Sequence, residues 1–336
     1  MGEFKMTNLL SSLKIKNLEL LNRIVMPPLA NDLADVKGYM QADLIEHYLG
    51  RLEVGLIIVE HSYINSQGKA SKKQLGIYKD DHIPGLKELV EAIHGAGNKV
   101  GIQITHAGSA TTEGVIGTTP VAPSAIKHPG RKNAELPKKL TINQLDEFKD
   151  DFVQAALRTK KAGFDMVEIH GAHGYLLNQF LSPLTNKRED IYGGSLENRM
   201  RFPLEVVEAV RDALGPEYPL FYRLGCDDYL TGGLTVDDGV KVAPKLAQAG
   251  VDVIDLTGGL RGYSVAGNDQ GFFLYLSKAV KAVTDAKILV TGGIKTAEFA
   301  NKIVEENSTD LVGVGRALLK DKLWAKKAVE SIKDNI

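Results

Sequence analysis

The stretch Phe164–Pro183, FDMVEIHGAHGYLLNQFLSP, decides the fold. It begins as a strand: a two-residue period over Asp165–His170 puts Val167 and Ile169 on one side and Met166, Glu168 and His170 on the other. The first face is aliphatic and suits packing against helices. The second carries a carboxylate and an imidazole, which a buried strand tolerates only where polar partners wait. His170-Gly-Ala-His173-Gly-Tyr175 follows, on a backbone that Gly171 and Gly174 leave free to bend. Polar groups gathered at a strand's end mark a site on the rim of an α/β barrel. The cluster has three readings: satisfied loop histidines, a metal site, or donation to an anionic or carbonyl oxygen with Tyr175 as a candidate acid. For a metal, His-x-x-His lacks a third ligand at recognisable spacing, and a helical zinc motif spaces its two His four apart. No metal is expected.

Outward from this stretch, strands and helices alternate. Strands are expected at Arg23–Met26, Leu56–Glu60, Val100–Thr105, Asp165–His170, Leu220–Arg223, Val251–Leu256, Lys287–Thr291 and Leu311–Val314. Helices are expected at Ala42–Leu52, Ile83–Ala96, Thr141–Lys161 behind a Thr141/Gln144 capping box, Ser195–Leu214 in two pieces around Pro203, Thr235–Ala249, Phe272–Thr284, Thr296–Glu306 and Ala317–Lys333. Leu13–Leu20 reads as a hairpin around Lys16-Asn17. Two Gly-rich stretches, Ala107–Leu140 and Thr257–Gln270, read as functional loops over a rim. Eight βα units without a linker predict a (β/α)8 TIM barrel with an N-terminal β-hairpin and long active-site loops. Residues 9–336 form its single domain in this reading. Residues 1–8, which hold Met1 and Met6, are expected to be a disordered or added leader, with Met6 the natural start.

Composition narrows the function. The 336 residues carry 41 Lys+Arg against 42 Asp+Glu, net −1, which gives no reason to expect nucleic acid or a membrane surface. There is no apolar run of spanning length and no signal-peptide core. A single cysteine, Cys226, excludes an intrachain disulfide and fits a reducing cytoplasm. The expected partners are small molecules, and a homo-oligomer is compatible with the sequence.

The interior-facing residues point further. Gly292-Gly293 follows the seventh strand and Gly315-Arg316 the eighth, where such barrels bind phosphate. In Val100–Thr105, Gly101, Gln103 and Thr105 share the face assigned to the interior, where an amide needs partners. Arg223 interrupts an apolar strand; an internal pair with a carboxylate, for which Glu168 is a candidate, or a ligand gaining negative charge would satisfy it. A phosphate site, an edge-binding Gln, an Arg and a His/Tyr cluster together suggest flavin mononucleotide (FMN). The rival is a phosphosugar isomerase or aldolase using Glu60 or Glu168 as base.

Five signatures in order, Asn22–Pro28, Gly101–Gly108, Val167–Leu181, Asn186–Ser195 and Val314–Arg316, resemble the Old Yellow Enzyme family of FMN-dependent ene-reductases from Leu9 onward. The resemblance implies that Pro27, Pro28, Leu29 and Ala30 run beside the flavin ring and that His61 stands where a small residue contacts it through its backbone. It implies Gln103 on the pyrimidine edge, Arg223 near N1, and Gly292, Gly293, Gly315 and Arg316 on the phosphate. His170 and His173 would bind a substrate carbonyl oxygen with Thr105 nearby, and Tyr175 would donate the proton. NADH or NADPH would reduce FMN in a ping-pong cycle, and an activated alkene would then take hydride and proton. Four departures stand out. Ala30 replaces a Cys or Thr, Asp32 replaces a Tyr of one subgroup, His61 is bulkier than usual, and Val329–Ile336 lacks that subgroup's aromatic and Arg residues. The chain carries neither the iron–sulfur cysteines nor the second nucleotide-binding domain of longer relatives, so electrons are expected directly from nicotinamide. Cys226 is read as packing.

Overall fold

The computed structural model describes residues 7–263 and 269–334. The expected leader up to Met6, part of the loop Thr257–Gln270 and the last two residues of Val329–Ile336 lie outside these residues. Asn8, inside the segment read as a leader, caps a turn by accepting from the Leu10 N–H at 3.1 Å.

The hairpin forms as read, β1 (Leu13–Ile15) against β2 (Leu18–Leu20), with Lys16 turning at φ 54°. The chain then runs β3 (Ile24–Met26), α1 (Ala42–Leu49), β4 (Leu56–Tyr63), α2 (Ile83–Gly95), β5 (Val100–Thr105), α3 (Glu113–Ile116), β6 (Val121–Ala122), β7 (Lys138–Lys139), α4 (Ile142–Ala162) and β8 (Met166–Gly171). It continues through α5 (Leu176–Leu181), α6 (Leu196–Leu214), β9 (Leu220–Asp227), α7 (Val236–Gln248), β10 (Val253–Gly258), α8 (Leu274–Lys281), β11 (Lys287–Thr291), α9 (Ala297–Glu305), β12 (Leu311–Gly313), α10 (Arg316–Lys320) and α11 (Trp324–Lys333). Strands β3, β4, β5, β8, β9, β10, β11 and β12 close one parallel barrel in that order.

Period two sorts each strand. Ile102, Ile104, Val167 and Ile169 join the core between barrel and helices. Inside, Val25, Leu56, Ile58, Met166, Phe221, Val253, Leu289 and Leu311 pack with Ile15, Leu18 and Leu20 of the hairpin. The hairpin thus plugs the N-terminal end of the barrel. Each of its three aliphatic side chains contributes roughly 1.5–3 kcal/mol of burial before the entropy of ordering. A Cβ added at Gly101 would overlap the Met166 thioether, so this floor is full. Two residues further along the strands stand Gln103, Glu168, Arg223 and Asp255, all buried. Two further come Thr105, His170 and Thr257, at the C-terminal mouth.

Three expectations are corrected. Helix α6 is continuous through Pro203. An internal proline costs about 3 kcal/mol, but burial of Phe202, Val206, Val207 and Val210 outweighs it. Strand β4 runs past Glu60 to Tyr63, because its register against β5 slips between Val59 and Ser62. This bulge re-aims Glu60 and His61. The stretch Ala107–Leu140 is not plain loop: α3 and the β6–β7 pair lie in it. Arg188 ties it down, donating to Pro123 O (3.1 Å) and Leu140 O (2.6 Å) while held by Asp190.

Candidate active site

The mouth brings His170, His173 and Tyr175 together. The His170 and His173 ring centroids lie 4.9 Å apart, as do those of His170 and Tyr175. The turn between them needs Gly174: its φ is +72°, and a Cβ there would strike the His128 ring. His128 in turn meets Gly174 O at 2.9 Å through Nε2 and accepts from Gly130 N at 3.0 Å, which pins the 128–131 segment over the site. Burial holds the His170 and His173 imidazoles well below the usual histidine range, and Arg223 and His61 add to the effect. Both rings are therefore neutral near pH 7, and their protons can be followed. His170 Nδ1 accepts from the Ala172 N–H (3.3 Å), so Nε2 carries its proton and meets His173 Nδ1 at 3.2 Å. His173 Nε2 then donates to Thr257 Oγ1 at 3.0 Å. The pair is assembled as the sequence implies, with its donors engaged in a chain.

Tyr175 is buried at the start of α5. Burial raises its phenol above the ordinary value, opposed by Arg131, whose guanidinium stands 6.0 Å from the ring centroid. The His61 ring reaches the same phenol, Nε2 to Oη 3.5 Å. The backbone carbonyl of His61 accepts from Gln74 Nε2 at 2.8 Å.

Below the mouth lies a polar layer. Gln103 Nε2 donates to Glu168 Oε1 at 2.7 Å. Arg223 pairs with Asp255 at 3.1 Å, its register partner on β10. The carboxylate of the internal pair is therefore Asp255 rather than Glu168, because neighbouring strands set the same interior height. Burial raises both acids; the Asp255 charge raises Glu168 further, while Arg223 lowers each. Glu60 is also pushed up by burial, to about 8, and its Oε2 accepts from the Asn31 N–H at 2.9 Å.

The remaining residues assigned from sequence converge on one side of the mouth. A Cβ at Gly315 would sit 3.3 Å from Leu29 and 3.5 Å from Pro27. The Arg316 guanidinium lies 5.8 Å from the Phe272 ring, and Phe272 packs against Gly293. The backbone of Gly292 accepts from Gly271 at 2.7 Å. Ala30 is exposed at the edge of this group. These residues suit the flavin mononucleotide that the resemblance implies. Thr105 Oγ1, Glu168 Oε2 and Thr291 Oγ1 are buried at or just below the mouth with no hydrogen-bond partner. Each such atom costs roughly 1–3 kcal/mol unless something polar meets it. Gln103 and Arg223 would serve the polar edge of the ring, and Gly292, Gly293, Gly315 and Arg316 its phosphate.

Sequence reading missed Asp255, Thr257, Gln74, Arg131 and Phe272. Asp255 carried a usable signal, a carboxylate on the interior face of a predicted strand. Arg131 carried none, being one of several charges in a Gly/Pro-rich segment. Among the described residues no helix is long and apolar enough to cross a membrane, and no group of three or more His, Cys, Asp or Glu is arranged to hold a metal ion.

Comparison with known proteins identifies the family and the fold. An NADH oxidase of Thermoanaerobacter brockii is 42% identical over 338 residues, covering 98% of this chain and 52% of that protein. The chain thus spans about half of that relative. It spans nearly all of an NADPH dehydrogenase of Bacillus velezensis, 39% identical over 326 residues, 96% of this chain and 94% of that one. The structure of morphinone reductase superposes with a TM-score of 0.87 at 29% identity, covering 98% of this chain and 91% of that one. The phosphosugar reading falls away on the family match over residues 8–335. The NADH:flavin oxidoreductase / NADH oxidase family matches residues 8–335, so the chain belongs to that family and is an FMN-dependent NAD(P)H oxidoreductase of Old Yellow Enzyme type.

Proposed function

We propose that the protein is an ene-reductase acting on α,β-unsaturated carbonyls, and on nitroalkenes, in a ping-pong cycle. The convergence of His170, His173 and Tyr175 on one mouth carries this reading. FMN, when bound, supplies to the β carbon the hydride it has taken from NADH or NADPH. His170 and His173, both neutral donors, polarise the substrate's carbonyl oxygen once it displaces an acceptor from their chain. Tyr175 keeps its proton at neutral pH because burial raises its phenol, and gives it to the α carbon. Arg223 offsets negative charge gained by the ring, and Thr105 lines the substrate side. The buried thiol Cys226 suits a reducing cytoplasm.

The test is anaerobic. FMN-loaded protein is bleached with NADPH, freed of nucleotide, and mixed with cyclohexenone. Return of the flavin absorbance with stoichiometric cyclohexanone is expected. A reduced protein that cyclohexenone and a nitroalkene both leave bleached, yet oxygen reoxidises, refutes the proposal.

A further inference from the structure

His61 departs from the small residue implied at its position, and its imidazole is aimed away from the role assigned to its backbone. It sits on the β4 bulge, with its ring centroid 5.4 Å from that of Tyr175 and 6.3 Å from that of His170. Its protonation state can be read from Gln74, which is buried. Gln74 Oε1 accepts from the Ala70 N–H at 2.6 Å, which fixes the amide's orientation. Its Nε2 therefore faces His61 and donates twice, to the carbonyl at 2.8 Å and to Nδ1 at 2.5 Å. Nδ1 is thus an acceptor. Burial holds the ring to a pKa of about 4, so it is neutral and its one proton is on Nε2. That N–H points at Tyr175 Oη, 3.5 Å away. The distance is long, as catalytic hydrogen bonds are before substrate binds.

We propose that His61 is a positioning residue for Tyr175: held by Gln74 as the Nε2–H tautomer, it donates to the phenol oxygen as that oxygen ionises. The step balances without further reagents. The O–H bond of Tyr175 breaks, a C–H bond forms at the substrate's α carbon, and the electron pair stays on Oη. His61 keeps its own proton throughout, and the tyrosinate recovers one from water at the mouth. A buried tyrosinate needs such help. The charged and titratable groups facing it are His61 from β4, His170 from its own turn, Arg131 from the 128–131 segment, and Tyr263 and Asp32 at the rim. His61 itself is faced by Tyr175, His170, Asp32, Arg223 and Arg131. Of these, His61 and Arg131 can donate to Tyr175, and His61 alone has its donor fixed from behind by a buried amide. The inference rests on Tyr175 being the proton donor.

The test places 3,5-difluorotyrosine at position 175, which brings the phenol's ionisation into an accessible range and gives a 19F signal that follows it. The FMN-bound protein is titrated with His61 intact, as His61→Ala and as His61→Gln, whose amide restores a donor. His61→Ala should raise the phenol pKa by about one unit, a tenfold loss in ionisation constant, and His61→Gln should recover most of it. The oxidative half-reaction should slow about tenfold in His61→Ala, and by more than the reductive half-reaction does. The same pKa in all three proteins overturns the proposal, whatever the rates do. Tyr175→Phe is run beside them. If it leaves the oxidative half-reaction intact, Tyr175 is not the donor and the underlying reading fails instead.

Discussion

Replacing Tyr175 by Phe deletes one oxygen and leaves the ring. The ring is buried, edge-on to His61 and His170, so its packing survives. The oxygen's contacts are a long bond to His61 (3.5 Å) and one with Arg131. Their loss costs at most about 1 kcal/mol of stability. A positioned general acid contributes roughly 10²–10⁴-fold, which is about 2.7–5.4 kcal/mol of barrier. The chemical effect therefore dominates, and it belongs to one half of the cycle. Reduction of the bound flavin by NADPH consumes no proton from Tyr175. In stopped flow, Tyr175→Phe should keep the reductive rate within about twofold and slow reoxidation by cyclohexenone at least about a hundredfold. Nitroalkenes, whose nitronate water can protonate, should lose less. Equal slowing of both halves would mean that Tyr175 only shapes the pocket. Unchanged reoxidation would assign the proton to water or another side chain.

Arg223→Ala leaves Asp255 and Glu168 buried without their cation; a loss of roughly 3–5 kcal/mol in denaturant unfolding is expected, together with weaker FMN retention or a lower flavin potential, and an unchanged potential and dissociation constant would refute its assigned role. Para-hydroxybenzaldehyde should bind as a phenolate at His170 and His173 and give a long-wavelength charge-transfer band that EDTA does not abolish; activity lost on chelation and restored by zinc would instead favour a metal. Arg188→Ala orphans the Pro123 and Leu140 carbonyls, so limited proteolysis should cut first within residues 107–140, with a stability loss of roughly 2–5 kcal/mol; cleavage elsewhere counts against that anchor. His128 titrates near 4 in the fold against an ordinary value of 6.5, so the unfolded chain binds the extra proton between those values and stability falls as pH drops through that window. The full shift is worth roughly 3 kcal/mol, and His128→Asn should flatten the fall in Tm between pH 6.5 and 4.

Regular elements were readable where local rules act alone. Val100–Thr105 has the same bounds in sequence and structure, and the Thr141/Gln144 capping box starts its helix as read. The failures share one cause, tertiary packing overriding a local signal. Pro203 ends nothing because its helix is buried on one side. Leu176–Leu181 is buried on every side, Asn178 and Gln179 included, so no amphipathic period announced that it is a helix. In the site, His170, His173 and Tyr175 were legible because one turn carries all three. The partner of Arg223 was not, because strand register selects Asp255 thirty-two positions away. The orientation of His61 depends on a bulge that only the pairing of β4 with β5 defines.

The hairpin plug makes the barrel a vessel with one opening. The apolar floor and Ile15, Leu18 and Leu20 seal it below, and the layer of Gln103, Glu168, Arg223 and Asp255 lies just above that seal. On its other side this layer faces the mouth, where flavin and substrate belong. A filled mouth would act as a stopper and slow proton exchange between the acidic layer and solvent. Glu168 and Asp255 would then present the flavin with a charge that is set while the mouth is open and changes little within a half-turnover.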